Sequence, residues 1–236
     1  MRVGILQPGY LPWLGFFEQL ERVDRFVIYD DVQYDKGGWR NRNRVKTAQG
    51  VRWLTVPVRV SLERPPLVAD VEIDNRTDWR RKHLETLRQA YARAPFADRY
   101  LPLFEEAYTR EWRLLVDLDL HFIAVIAAAL GIDAAKIVRS SALGLGGWRE
   151  ERLLAICASL GADRFYEGAA GRDYIGVARF AAAGVRVEFQ DYHHPVYPQL
   201  HGAFVSHLSA VDLLFNCGEK SRRILLGEQK GAATNA

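Results

Sequence analysis

Residues 3–31 carry the pattern that most constrains the fold. Arg2-Val3-Gly4-Ile5-Leu6-Gln7 reads as a buried strand, and Pro8-Gly9-Tyr10-Leu11-Pro12 as a Gly/Pro loop. Leu11, Leu14, Phe17, Leu20 and Val23 recur at helical spacing and define one core-facing stripe over 11–23. Arg25 to Tyr29 is a short apolar strand that runs into Asp30-Asp31. A strand, a helix and a second strand within thirty or so residues form a βαβ unit, whose strands lie parallel. The loop after the first strand falls where such proteins bind ligands, outside the carboxyl end of a strand.

The later chain continues the alternation. Arg52–Val60 and Val71–Ile73 read as strands, and Thr77 or Asp78 as the cap of a helix reaching Tyr91. Arg113–Leu130 is a long apolar helix closed by Gly131. Lys136–Arg139, Asp163–Tyr166 and Val185–Phe189 read as strands. Helices are expected over 148–160, 173–183 and 209–216. The fold class is therefore α/β, with a mostly parallel Rossmann-like sheet. We expect one domain over 1–226 with a helical insertion at about 77–131, and a flexible tail over 227–236.

Bulk numbers narrow the function classes. A chain of 236 residues with 49% hydrophobic and 26% charged residues can build a sizeable core. A net charge of +3 does not identify a nucleic-acid binder. Cys157 and Cys217 lie in apolar helical patterns and read as small core residues. The first strand starts beside Met1, and no apolar run is long enough for a bilayer span, so a cytoplasmic location without a membrane partner is expected.

Several constellations could carry chemistry. The Gln7–Gly15 loop has the glycines and backbone N–H groups of an anion site, or else only shapes a tight connection. Asp30-Asp31, with Gln33 and Tyr34, forms a carboxylate pair at a strand end, able to act as a base or to orient an amine or a cation. Trp39-Arg40-Asn41-Arg42-Asn43-Arg44 offers guanidinium forks for phosphate or carboxylate, although a solvated strand face alternates in the same way. Ser140-Ser141, ahead of a Gly-rich stretch, and Gly168 to Tyr174 are two further loops between strand and helix. Four of the six histidines fall between His193 and His207, and His194 is the candidate proton carrier. No histidine or cysteine spacing matches a zinc site, so no metal ligands are assigned.

These residues carry a resemblance. Gln7-Pro8 with Tyr10, Pro12 and Gly15, then Val27 to Tyr34, then Trp39 with Asn41-Arg42-Asn43-Arg44, resemble the WbqC-like family. Ser140-Ser141, Arg152-Leu153-Leu154, Gly168 with Tyr174, His194 to Gln199, and Leu208 to Gly218 extend the likeness over nearly the whole chain. The resemblance implies an enzyme of bacterial surface-polysaccharide or natural-product biosynthesis that joins an acyl or aminoacyl group to an amine, such as that of a nucleotide-linked amino sugar. The partners would be that acceptor and an activated donor, with aminoacyl-tRNA as one option for the donor.

On this reading Asp30, Asp31 and His194 are the catalytic candidates. Gln7, Tyr10, Gly15, Gln33, Trp39, Asn41, Arg42, Asn43, Arg44, Ser141, Tyr174, Tyr197 and Gln199 are the substrate-binding candidates. A more distant likeness to nucleotidyltransferases and pantothenate-synthetase-like ligases implies the alternative of direct adenylation with ATP and Mg²⁺. The histidines of that ligase motif are missing between Tyr10 and Gly15. A non-catalytic sugar- or nucleotide-binding protein is the remaining alternative.

Overall fold

The computed structural model describes residues 1–61 and 63–228. Strand β1 (Arg2–Leu6) leads through helix α1 (Leu14–Arg22) to β2 (Arg25–Ile28). Then follow β3 (Arg42–Thr47), β4 (Gly50–Thr55), β5 (Val58–Arg59) and β6 (Glu72–Ile73). Helices α2 (Trp79–Tyr91), α3 (Ala97–Thr109) and α4 (Leu115–Ala129) occupy the middle of the chain. The remainder is β7 (Ile137–Arg139), α5 (Glu150–Ser159), β8 (Arg164–Glu167), α6 (Val177–Ala182), β9 (Arg186–Phe189), α7 (Ala210–Cys217) and α8 (Ser221–Leu225).

Five strands form one parallel sheet in the order β7-β2-β1-β8-β9. The fold is thus Rossmann-like α/β. Alternation along the strands divides the core in two. Val3, Ile5, Val27 and Phe165 face a cluster with Ile156, Cys157 and Phe180 of α5 and α6. Phe26 and Ile28 face the opposite cluster, built from α1, the three middle helices and α7. Gly4 lies on that second face, where an added Cβ would meet Val23 at 3.3 Å and Phe26 at 3.4 Å, so glycine lets the layers close. Cys157 and Cys217 are free and buried.

Several boundaries depart from the sequence reading. Helix α1 starts at Leu14 rather than Leu11. Trp13 bridges to Ser209, and Pro12 O accepts from Ala210 N–H at 2.9 Å, which keeps these residues extended. The strand expected over 52–60 splits into β4 and β5 at Val56-Pro57, where proline has no N–H for a ladder. The helix expected over 173–183 begins only at Val177, after a 3₁₀ turn over Ala169–Asp173. Asp78 precedes α2 but makes no capping bond, because its carboxylate pairs with Arg81. The basic stretch after Asn41 is β3, antiparallel to β4, and the two form a separate two-stranded sheet. Residues 229–236 of the expected tail lie outside the described residues.

Candidate functional site

The sheet order fixes where a ligand fits. The chain builds outward from β1 to β7, then returns to β8 beside β1 and builds the other way. The crevice at the carboxyl ends of β1 and β8 is therefore the topological switch point. A cavity of about 840 Å³ opens there. Leu6 and Gln7 from the end of β1, Tyr29 after β2, Glu167 at the end of β8, and Tyr174 line it. Arg149, Glu150, Glu151, Arg179 and Arg40 supply charge along its walls.

Glu167 is the least ordinary group in this cavity. It is 6% exposed, and burial pushes its carboxyl from the usual 4.5 up to about 7. Tyr174 Oη donates to Glu167 Oε1 at 3.0 Å, a bond that favours the carboxylate against burial. Gly171 makes the room, since a Cβ there would lie 2.2 Å from Glu167 Cγ. A carboxyl that titrates near neutrality can take up and release a proton at working pH. Arg149 stands at φ +50°, ψ −125° at the start of α5, a conformation that favours glycine. Its guanidinium makes no ion pair among the described residues, whereas Arg179 is held by Glu150 and Glu151.

A second cavity of about 340 Å³ shares Leu6, Gln7 and Arg40 with the first. Its other walls are Gly9, Pro12, Trp13, Phe16, Trp39, Asn43 and His207. The loop that forms it is sewn to β3 and the segment before it. Asn43 Nδ2 donates to Leu11 O at 2.8 Å, Tyr10 N–H to Arg40 O at 3.0 Å, and Arg40 Nη1 to Pro8 O at 3.0 Å. Those bonds hold Leu11 at φ +46°.

The structure sorts the residues singled out by sequence. Gln7 lines both cavities, Tyr174 the larger, and Trp39 and Asn43 the smaller. Gly15 lies outside both, but a Cβ there would fall 2.2 Å from the Trp13 ring, so it seats that wall. Arg42 donates to Gly38 O at 3.2 Å, and Arg44 to His207 O at 3.0 Å; both stack on Trp53.

Other candidates support the frame. Asp30 is fully buried and accepts from Arg139 Nε at 2.5 Å and from Ser141 N–H and Oγ at 3.0 and 2.9 Å. Asp31 pairs with Arg152 and accepts from Ser140 Oγ at 2.5 Å. With guanidinium groups already opposite both carboxylates, the pair does not fit a Mg²⁺ ion. Among the described residues, no group of three or more His, Cys, Asp or Glu is arranged to hold a metal.

Tyr10 is buried and bonds His83 Nδ1 at 2.9 Å and the Tyr108 hydroxyl, facing the helical layer. Asn41 donates to Val56 O, and Gln33 bridges to Leu67. Gln199 holds Lys46 Nζ and Val205 N–H, and Tyr197 is buried beside Phe204. His194 stands one ring behind the smaller cavity, 4.9 Å from His207 between centroids, with Nδ1 2.9 Å from Pro195 O. Burial lowers its pKa.

Glu167 and Arg149 were missed by sequence reasoning, and Arg40 was read only as part of the basic 39–44 stretch. The signal for Glu167 was present: an acid closing a strand, the same cue that drew attention to Asp30.

Comparison with known proteins agrees with the resemblance. The model of the WbqC-like protein family matches residues 7–224. An uncharacterised protein of Mycobacterium tuberculosis, Rv1507c, is 36% identical over 226 residues, covering 93% of this chain and 95% of the relative. No solved structure matches the chain. No helix among the described residues is long and apolar enough to cross a membrane.

Proposed function

This chain belongs to the WbqC-like protein family, and on that premise we propose that it forms an amide on a small phosphorylated amine. The acceptor in this reading is a nucleotide-linked amino sugar of polysaccharide or natural-product biosynthesis. The donor is an activated acyl or aminoacyl group.

One observation carries the reading. Glu167 is a buried carboxyl titrating near 7, held by Tyr174, at the switch-point cavity. An amine is bound as its ammonium and must lose a proton before it attacks. Glu167 takes that proton. The nitrogen lone pair then forms a bond to the donor's carbonyl carbon, and the bond from that carbon to the leaving group breaks. The leaving group departs with the electron pair, and the second ammonium proton passes to it or to solvent. Arg149 and Arg40 on the cavity wall suit the acceptor's phosphates, since guanidinium forks match phosphate oxygens. Asp30 and Asp31 act in this scheme by fixing Arg139, Arg152 and the 140–141 turn rather than by touching substrate.

The test is a condensation assay read by mass spectrometry. Nucleotide-linked amino sugars are offered with acyl-CoA, aminoacyl-tRNA, or amino acid plus ATP and Mg²⁺. The expected product has the mass of the acceptor plus that of the donor's parent acid less water. Binding of acceptor without product from any donor class favours the non-catalytic alternative.

A further inference from the structure

We propose that the smaller cavity is a purine slot that receives the adenosine portion of the acyl donor. This rests on the amide-forming reading above and adds the chemistry by which the donor is held.

The walls fit a planar ring. Trp13 and Trp39 both line the cavity, and each packs against a second aromatic ring. His207 stacks on Trp13 with centroids 5.3 Å apart and planes 22° apart, and Trp53 lies 5.1 Å from Trp39. Two glycines keep these walls in place. A Cβ at Gly15 would strike the Trp13 ring, and one at Gly9 would reach Trp39 O at 3.0 Å. Indoles packed against second rings beside a small cavity suit a nucleobase, which every aromatic face can stack. About 340 Å³ is at the small end for a ligand pocket, enough for a nucleoside but not a whole donor.

The polar lining favours adenine. Gln7 Oε1 is buried with no hydrogen-bond partner, a costly state that a ligand would relieve. A carboxamide presents one acceptor and one donor group, the match for N6 and N7 of adenine. Guanine presents two acceptors on that edge. Asn43 is already committed to Leu11 O and Arg44 N–H, which leaves Gln7 as the reader.

Two cations flank the aromatic side of the cavity. The Arg44 guanidinium lies 5.4 Å from the Trp39 ring, and Arg42 stacks 4.6 Å over Trp53. Phosphates attached to a base held at Trp39 would meet them. ATP or an acyl-adenylate, a coenzyme A thioester, and the 3′ end of aminoacyl-tRNA all carry adenosine next to phosphate.

Tryptophan fluorescence titrations test this without turnover. AMP is expected to bind at least about 10-fold more tightly than GMP. Trp39→Ala should weaken AMP by about 10-fold or more, the scale of a lost base stack. Gln7→Leu should erase the preference for AMP, and Arg44→Ala should weaken AMP more than adenosine. Trp39 is 46% exposed, so its variant is expected to stay folded, which circular dichroism checks. Competition against AMP by ATP, coenzyme A and an RNA hairpin ending in adenosine then identifies the source. Equal binding of AMP and GMP, AMP binding indifferent to Trp39→Ala, or competition by none of the three would overturn the proposal. Glu167→Gln should bind AMP normally, so failure here is separable from failure of the amide-forming reading.

Discussion

The Tyr174 hydroxyl donates to Glu167 Oε1 at 3.0 Å across the turn that follows β8. Burial raises the carboxyl and this bond opposes it, and the balance leaves it near pH 7. If Glu167 removes the ammonium proton, kcat/KM should rise with pH through about 7 as the carboxyl ionises. Tyr174→Phe removes the opposing bond, so the midpoint of that rise should move to higher pH. A pH–rate profile for both proteins checks this; identical midpoints would separate Tyr174 from the proton transfer.

The same group has a stability signature of defined sign. Below pH 4.5 Glu167 is protonated in folded and unfolded chains alike, and its burial carries no ionisation penalty. Between pH 4.5 and about 7 the unfolded chain ionises first, so this part of the folded state's stability is lost as pH rises, then levels off. Glu167→Gln cannot ionise. Its unfolding free energy relative to the parent should therefore shift in its favour by about 3 kcal/mol between pH 4 and pH 8. Paired urea melts at the two pH values measure the shift, and a constant difference would contradict it.

Gly15 is predicted to be intolerant of the smallest change. Gly15→Ala places a Cβ 2.2 Å from the Trp13 ring, and Trp13 must move or the helix must shift. We expect a loss of about 1–3 kcal/mol, typical of overpacking, together with loss of AMP binding in the smaller cavity. Thermal unfolding and fluorescence titration of the variant check the two effects together.

Asp31 should matter first to the fold. Its partner Arg152 is 8% exposed, and Asp31 itself 16%. Asp31→Ala leaves that guanidinium buried and unpaired, at a cost of about 3–5 kcal/mol. Chemical denaturation should show the loss directly, whereas a variant as stable as the parent would return Asp31 to the list of groups acting on substrate.

How far the sequence disclosed this arrangement depended on side-chain direction. The βαβ opening and the parallel sheet were legible because strand and helix periods differ and the glycines after α4 and α5 mark their ends. Gln7, Trp39, Asn43 and Tyr174, which the structure places along the two cavities, were legible as candidates because they follow strands or sit in the loop and hairpin at the carboxyl end of the sheet. The arginines were harder. Arg42 and Arg44 alternate with the buried Asn41, Asn43 and Val45 along one strand, and only the pairing with β4 tells which set turns inward. Asp30 and Asp31 drew attention as paired acids, yet Arg139 and Arg152, more than 100 residues away in sequence, already face them. Glu167 passed unnoticed because a lone acid in sequence does not disclose its burial.

The most direct measurement compares the single-turnover rate of amide formation in the parent and in Glu167→Gln, with acceptor and donor both saturating at pH 8. The account predicts that the variant binds both ligands as the parent does and forms amide at least about 100-fold more slowly, the contribution expected of a general base. Amide formation at the parent's rate in a folded, ligand-saturated Glu167→Gln variant would contradict it.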